Sequence, residues 1–408
     1  MPQGNAVIGQ SGGPTAVINQ SLVGVVEALQ AAKQAGGADA DKVGQILGAH
    51  HAVAGIVQDD YIDLTDRDPA FLDRLADTPS SALGSSRDKP DAAYCQRIFE
   101  SFTKREVRYF FYAGGNDSSD TCRIIAEMAA EQGYPLTAYH VPKTIDNDLM
   151  VNDHTPGFGS AAKFVAQAFM GDNLDNAALP GIKINIVMGR HAGFLTAAAM
   201  LGRRPGQPDG PHLIYVPEAD FSEDKFLDDV QRIYEKHGRC LVAVSEGIHD
   251  ADGNPMMTKL QDTVEKDAHG NVQLSGTGAL GDLLADLVKN KLGQRMGQKL
   301  RVRADTFGYL QRSFVGCASE VDQREARECG RQAVKHALAG EHPSGSIAMI
   351  RQPGPDYQID YQRIDIKQVA ALTKHLDPKY IVDGCDIDES FRAYAAPIVG
   401  PLPVIESF

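Results

Sequence analysis

Short, mainly apolar runs alternate along this chain with longer segments that carry apolar residues at helical spacing, and turn-forming residues mark each exchange. Ala6–Gly9 reads as a buried strand, QSGGP as a turn, and Thr15–Lys33 as an amphipathic helix. The cycle returns at Val107–Ala113 (VRYFFYA), followed by GGNDS and a helix over Asp120–Glu131. Leu136–Val141 leads into PKTIDND and a helix from about Ser160, and Lys183–Met188 leads into GRHAG and another helix. Leu213–Val216 and Leu241–Val244 are further strand-like runs, the second opening into SEG. Strands alternating with helices of this length predict an α/β fold with parallel sheets, and such sheets bind ligands at the carboxyl ends of their strands. Each glycine-rich or charged motif falls at that position. Two polar stretches interrupt the pattern: Asp60–Pro90 reads as a loop-rich insertion, and Asp250–Ser275 as a lid or surface excursion.

Length then divides the pattern in two. At 408 residues the chain exceeds one ordinary core, so two lobes are expected. The start, MPQGNAVIGQ, lacks a basic region followed by an apolar run, so no signal peptide is expected. No apolar stretch approaches the roughly 18 residues a membrane span needs. The six cysteines are scattered, which excludes CxxC metal or redox pairs and suits reduced thiols in the cytoplasm. The net charge of −14 opposes a nucleic-acid partner. An anionic substrate must therefore meet a local cluster of cations.

The motifs supply such cations. In Gly9–Asn19 (GQSGGPTAVIN), Gly12 and Gly13 let backbone N–H groups approach a phosphate, although Ser11 or Thr15 could equally cap a tight turn. Gly114–Thr121 (GGNDSSDT) offers Asn116 and Asp117 as hard oxygen ligands for Mg²⁺, with a capped turn as the plainer reading. Pro142–Leu149 (PKTIDNDL) is the most specific: Asp146 and Asp148 stand beside Lys143 and Thr144, a base, a metal-facing carboxylate and a phosphate cation in one segment. Met188–Gly193 (MGRHAG) places Arg190 to neutralise a moving phosphoryl group, with His191 read as a packing residue. Glu246 in SEG suits sugar hydroxyls, and Arg303, Tyr309 and Arg312 in RADTFGYLQRS suit a phosphate monoester.

Taken in order, the SGG turn, the GGxxS loop, TIDND, MGR, the EG pair and GxxQR resemble the phosphofructokinase family over roughly Ala6–Ser313. The resemblance implies a two-lobed α/β fold with parallel sheets flanked by helices and an active site in the interlobe crevice. It implies a donor-phosphate and Mg²⁺ lobe over about 1–150, a sugar-phosphate lobe over about 151–330, and a C-terminal segment 331–408 crossing back to the first. It implies transfer of a phosphoryl group to the 1-hydroxyl of fructose 6-phosphate. Asp146 then matches the proton acceptor, with Thr144 and Asp148 around the reacting phosphate and Arg190 as the transition-state arginine. Met188 and Gly189 match the sugar site, Glu246 the sugar-binding carboxylate, and Arg303, Tyr309 and Arg312 the 6-phosphate pocket. Some of the family's cations come from a neighbouring subunit, which implies a homodimer or homotetramer.

Two departures concern the phosphoryl donor. ATP-using members resemble GGDGS and PGTIDND, whereas this chain has GGNDS and PKTIDND. Asp117 would oppose the α-phosphate of ATP by bulk and by like charge, at a cost of several kcal/mol. Lys143 would serve a shorter donor. Both match the branch that uses diphosphate, so Gly12, Gly13, Asp117 and Lys143 are the expected diphosphate residues, and reversibility with weak allosteric control is implied. Asn116 replaces the metal-side Asp, and Lys183 is the one cation shortly before MGR. An ATP-dependent phosphofructokinase, or a kinase of a related sugar phosphate, is the nearest alternative. A two-lobed anion-binding protein is the alternative of another class, but a binder has no need of paired Asp beside Lys.

Overall fold

The computed structural model describes residues 3–35, 42–88, 90–260 and 278–406. They form two compact units: Met1–Ser160 with Arg312–Lys374, and Ala161–Gln311 with His375–Phe408. The chain therefore changes unit at Ser160, Gln311 and Lys374, where the sequence had suggested 150 and 330. The helix Glu320–Ala339 accounts for the second difference, because it packs its Ala333, Val334 and Ala337 into the same core as Leu22, Val25, Val26 and Leu29 of the helix Ile18–Ala35.

Following the chain, the first unit contributes strands β1 (Gly4–Gln10), β2 (Val43–Ala49), β3 (Tyr61–Asp63), β4 (Val107–Gly114) and β5 (Thr137–Pro142). The second contributes β6 (Ile182–Val187), β7 (Leu213–Tyr215), β8 (Cys240–Ser245) and β9 (Val302–Thr306), and the first resumes with β10 (Ser344–Arg351) and β11 (Ile359–Ile364). The first unit's sheet runs β11-β10-β5-β4-β1-β2-β3, parallel apart from antiparallel strands at both edges. Its central strands are mainly apolar because helices cover both faces. Along β4, Tyr109, Phe111 and Ala113 enter one core while Phe110 and Tyr112 enter the other. The strand order reverses around β1, which lies between β4 and β2, so the tips of β1 and β4 border a switch point suited to a ligand.

The second unit's sheet is smaller and wholly parallel, in the order β7-β8-β6-β9. Its strands also alternate: Ile182, Ile184 and Ile186 of β6 join Val242 and Val244 of β8 in one core. Asp60–Pro90 is more regular than its polarity suggested. It holds β3 and a helix, Pro69–Ala76, started by Pro at its first turn and by Asp68, whose carboxylate accepts from Phe71 N at 2.9 Å. Of Asp250–Ser275, the described part closes a turn in which Asp250 Oδ1 accepts from Asn254 N at 2.9 Å, while residues 261–277 lie outside the described residues.

Candidate active site

The tip of β1 is built around two glycines. Ser11 N donates to Ala113 O at 2.8 Å, tying the turn to β4, and Gly12, at φ 74°, donates to Ser86 O at 3.0 Å. Lys143 lies over this turn and donates to Gly13 O at 2.8 Å. A methyl on Gly12 would sit 3.2 Å from Lys143 Nζ, and one on Gly13 would sit 2.6 Å from an Arg312 nitrogen. Only glycine leaves room for the two cations here. Lys143 is 3% exposed, and burial pushes its pKa down to about 8. Asp146 and Asp148 oppose that shift, whereas Arg312 and Arg87 add to it. Three positive groups thus converge on a glycine turn, an arrangement relieved by a compact, highly charged anion.

The loop after β5 carries the carboxylates. Lys143 N donates to Gly114 O at 3.0 Å, and His140, fully buried, reaches the same oxygen through Nε2 at 2.8 Å. Burial lowers the His140 pKa to about 4, so the ring is neutral; Nε2 donates to Gly114 O and Nδ1 accepts from Ser346 Oγ at 2.8 Å. Beyond Lys143, Thr144 Oγ1 accepts from Asp146 N at 3.1 Å, Asn147 turns the chain with φ 60°, and Asp148 Oδ2 accepts from Asn116 Nδ2 at 3.0 Å. Burial, then the charge of Asp146, raises the Asp148 pKa. The loop's return is fixed from the other side by Asp322, whose carboxylate accepts from Gly157 N and Ser160 N, each at 2.8 Å.

Asn116 and Asp117 begin the helix Asn116–Glu131, which starts four residues earlier than its sequence suggested, with Gly115 as cap. Asp117 is exposed in the first turn, where its charge favours the helix dipole. Asn116 Oδ1 is buried with no hydrogen-bond partner. That orphaned oxygen beside Asp148 is a hard donor of the kind Mg²⁺ takes. Among the described residues no group of three or more His, Cys, Asp or Glu side chains is arranged to hold a metal ion. The residues present therefore fit a magnesium ion that also takes oxygens from its substrate.

In the second unit, β6 and β8 end in interlocked turns. Ser245 Oγ donates to Gly189 O at 2.6 Å, and Glu246 N donates to Val187 O at 2.9 Å. Gly189 has φ 148°, and a methyl on it would lie 2.8 Å from Ser245 Oγ; one on Gly247 would collide with the Arg190 carbonyl. Met188 N donates to Gln311 Oε1 at 3.3 Å, while Gln311 Nε2 donates to Gly308 O at 2.8 Å, so Gln311 holds the turn that presents Tyr309. Glu246 is buried, Arg190 half-buried and Tyr309 44% exposed. Past Arg190, Glu218 accepts from Gly193 N at 2.9 Å and from Leu376 N at 2.8 Å. His191 lies at the surface with its ring partly desolvated; that desolvation, then Arg190 and His375, lower its pKa.

The residues expected around a 6-phosphate are not brought together within either unit. Arg303 is paired with Lys183 near the amino end of β9, five strand residues before the Met188 level, about 16 Å at ~3.3 Å per residue. It is exposed, and its guanidinium donates to Val302 O at 2.9 Å. Arg312 falls in the first unit, against Gly13. Lys183 is committed to Asp172 and to Asp175 at 2.7 Å. Sequence reasoning missed the segment Gly84–Arg87, whose Ser85 Oγ donates to Gly12 O at 2.6 Å and whose Arg87 charge reaches Lys143. Only the Gly-Ser-Ser-Arg string inside an otherwise polar stretch could have signalled it.

Residues 5–337 match the family described as Phosphofructokinase. The chain belongs to the phosphofructokinase family. It is 55% identical over 401 residues to the pyrophosphate–fructose 6-phosphate 1-phosphotransferase of Rhodospirillum rubrum, covering 98% of this chain and 95% of that one. It is 36% identical to the protein of the same description from Halomonas elongata, covering 98% and 92%. A crystal structure of the pyrophosphate-dependent phosphofructokinase from Nitrosospira multiformis matches with a TM-score of 0.84 at 34% identity, over 99% of this chain and 94% of that one. The mixed α/β architecture with parallel sheets flanked by helices is a phosphofructokinase fold. Enzymes of this family generally use Mg²⁺. No helix among the described residues is long and apolar enough to cross a membrane.

Proposed function

We propose that this phosphofructokinase transfers a phosphoryl group from diphosphate to the 1-hydroxyl of fructose 6-phosphate, reversibly, as a cytoplasmic enzyme of glycolysis and gluconeogenesis. The observation that carries this reading is the buried Lys143 ammonium, held on Gly13 O at 2.8 Å with Arg312 and Arg87 charges beside it. A diphosphate is compact and carries enough negative charge to relieve all three. A nucleotide would have to carry its α-phosphate past the same lysine.

Asp146 accepts the proton of the 1-hydroxyl as that oxygen attacks the near phosphorus of diphosphate, and the bond to the leaving phosphate breaks in line. Lys143 and Arg190 offset the charge on the transferring group, while Thr144 and Asp148 hold the aspartate loop around it. Magnesium, held by Asn116 Oδ1, Asp148 and diphosphate oxygens, would supply further charge neutralisation. Met188, Gly189 and Glu246 take the sugar, and Tyr309 its 6-phosphate. Arg303, at the far end of its sheet, reaches a sugar phosphate only from a second copy of the chain, in a homodimer or homotetramer. A coupled assay for fructose 1,6-bisphosphate, with fructose 6-phosphate and Mg²⁺, tests the reading. Turnover with diphosphate and none with ATP is expected, and turnover with ATP alone would overturn the donor.

A further inference from the structure

The stretch beyond Arg351 carries no recognisable motif, yet it delivers a lysine to the aspartate loop. Lys374 Nζ donates to the carbonyls of Asn152 at 3.0 Å and Asp153 at 2.9 Å, and reaches Asn147 Oδ1 at 3.5 Å. Its backbone N–H donates to Asp148 O at 2.7 Å. One residue therefore grips the loop at four points, Asn147, Asp148, Asn152 and Asp153. The side chain is half-buried with its ammonium turned inward, and burial pushes that group's pKa down to about 8. The charges of Asp153 and Asp148 pull the other way, and Lys374 in turn acts on Asp148.

A neutral amide could satisfy two carbonyls at no cost of burying charge, whereas a desolvated ammonium costs several kcal/mol unless opposite charge repays it. The opposite charge on offer is the carboxylates of this loop. Lys143 is acted on by Asp146 and Asp148, so the charge of Asp148 is shared by two lysines on separate segments.

We propose that Lys374 is a positioning residue for phosphoryl transfer: it fixes the backbone of the loop from Asn147 to Asp153, so that Asp146 and Asp148 keep their places around the reacting phosphate. The proposal rests on Asp146 as proton acceptor, and the experiment separates the two. Initial rates with diphosphate and fructose 6-phosphate would be measured for Lys374→Gln, Lys374→Met, Lys374→Arg and Asp146→Asn, normalised to folded enzyme by thermal unfolding. Lys374→Gln is expected to lower kcat at least tenfold while both KM values stay within threefold, and Lys374→Arg to recover most of that loss. Should Lys374→Met fail to fold, Lys374→Gln, whose amide can still donate to a loop carbonyl, decides. A kcat within twofold of the parent in folded Lys374→Gln, or equal losses in the Gln and Arg variants, would overturn the proposal. If Asp146→Asn keeps full turnover, the proton-acceptor reading falls instead.

Discussion

The strand tips of the two units solve the same problem, presenting groups to an anion, by different means. In the first unit the chemistry is carried by buried charge. Lys143 is held well below the usual lysine range, Asp148 is pushed above the usual carboxylate range, and both shifts have burial as their largest cause. In the second unit it is the backbone that is fixed, through Ser245 on Gly189, Glu246 N on Val187 and Gln311 on Met188, while Arg190 and Tyr309 stay open to solvent. Buried charges act strongly on developing charge, because little water screens them, but they destabilise the empty enzyme. Exposed groups on a rigid frame cost little and bind more weakly. A transferring phosphoryl group needs the first kind of support and a sugar phosphate the second, so, Arg190 apart, substitutions should cost turnover in the first unit and affinity in the second.

The sharpest break of that contrast is Asp146→Asn. It should lower kcat by about 10³-fold with little change in either KM, because a general base contributes in this range and acts only as the proton moves. Comparable losses in KM would instead assign Asp146 to binding. Lys143 comes next. Lys143→Met should cost about 10²-fold in turnover with diphosphate, the size seen when one preorganised charge is lost. The same change should stabilise the ligand-free enzyme. Because the folded pKa lies near 8, below the ordinary 10.5, the folded state pays for the charge at every pH below about 8, by roughly 3 kcal/mol. That penalty fades as pH rises from about 8 to 10.5. Thermal unfolding should therefore show Lys143→Met above the parent at pH 7, with the gap closing through that window. Because Asp117 is exposed, removing Lys143 should open ATP use more than removing Asp117 does, and Lys143→Gly with Asp117→Gly should open it furthest, read as ATP-driven turnover.

This difference between the units also explains what could be read in advance. The central strands were legible because both faces are buried: six apolar residues among the seven of Val107–Ala113 admit few other readings. The tip motifs were legible because glycines and charges collect where apolar runs stop. Helix starts were less so. Gly115 caps the helix with its backbone alone, so Asn116 and Asp117 looked like loop. Contacts between distant segments left no local trace. Lys374 binds a carbonyl 222 positions away, and Arg87 reaches Lys143 from a stretch read as an insertion. Arg303 and Tyr309 look like one pocket in a seven-residue string, but the extended strand between them carries the two to opposite ends of the sheet.

In the second unit the frame itself is the better target. Gly247→Ala would drive a methyl into the Arg190 carbonyl, and the turn must move to accept it. About 2 kcal/mol of stability should be lost, with the KM for fructose 6-phosphate rising roughly tenfold as the Met188–Arg190 turn shifts, a rise that buried-charge variants of the first unit would not reproduce. Saturation kinetics in fructose 6-phosphate at fixed diphosphate, run with thermal unfolding, would show it.

The smallest effect should come from Tyr309→Phe. The ring is 44% exposed and Gln311 holds its turn independently, so the hydroxyl supports no core and its loss should leave the unfolding temperature unchanged. One hydrogen bond to a phosphate contributes about 1 kcal/mol net, which is about fivefold in the KM for fructose 6-phosphate with kcat intact. The contrast between the units depends on that split. If Tyr309→Phe lowered kcat and left KM alone, the exposed tip would be acting on the transition state, and Tyr309 would join Arg190 in electrostatic work otherwise carried by the first unit.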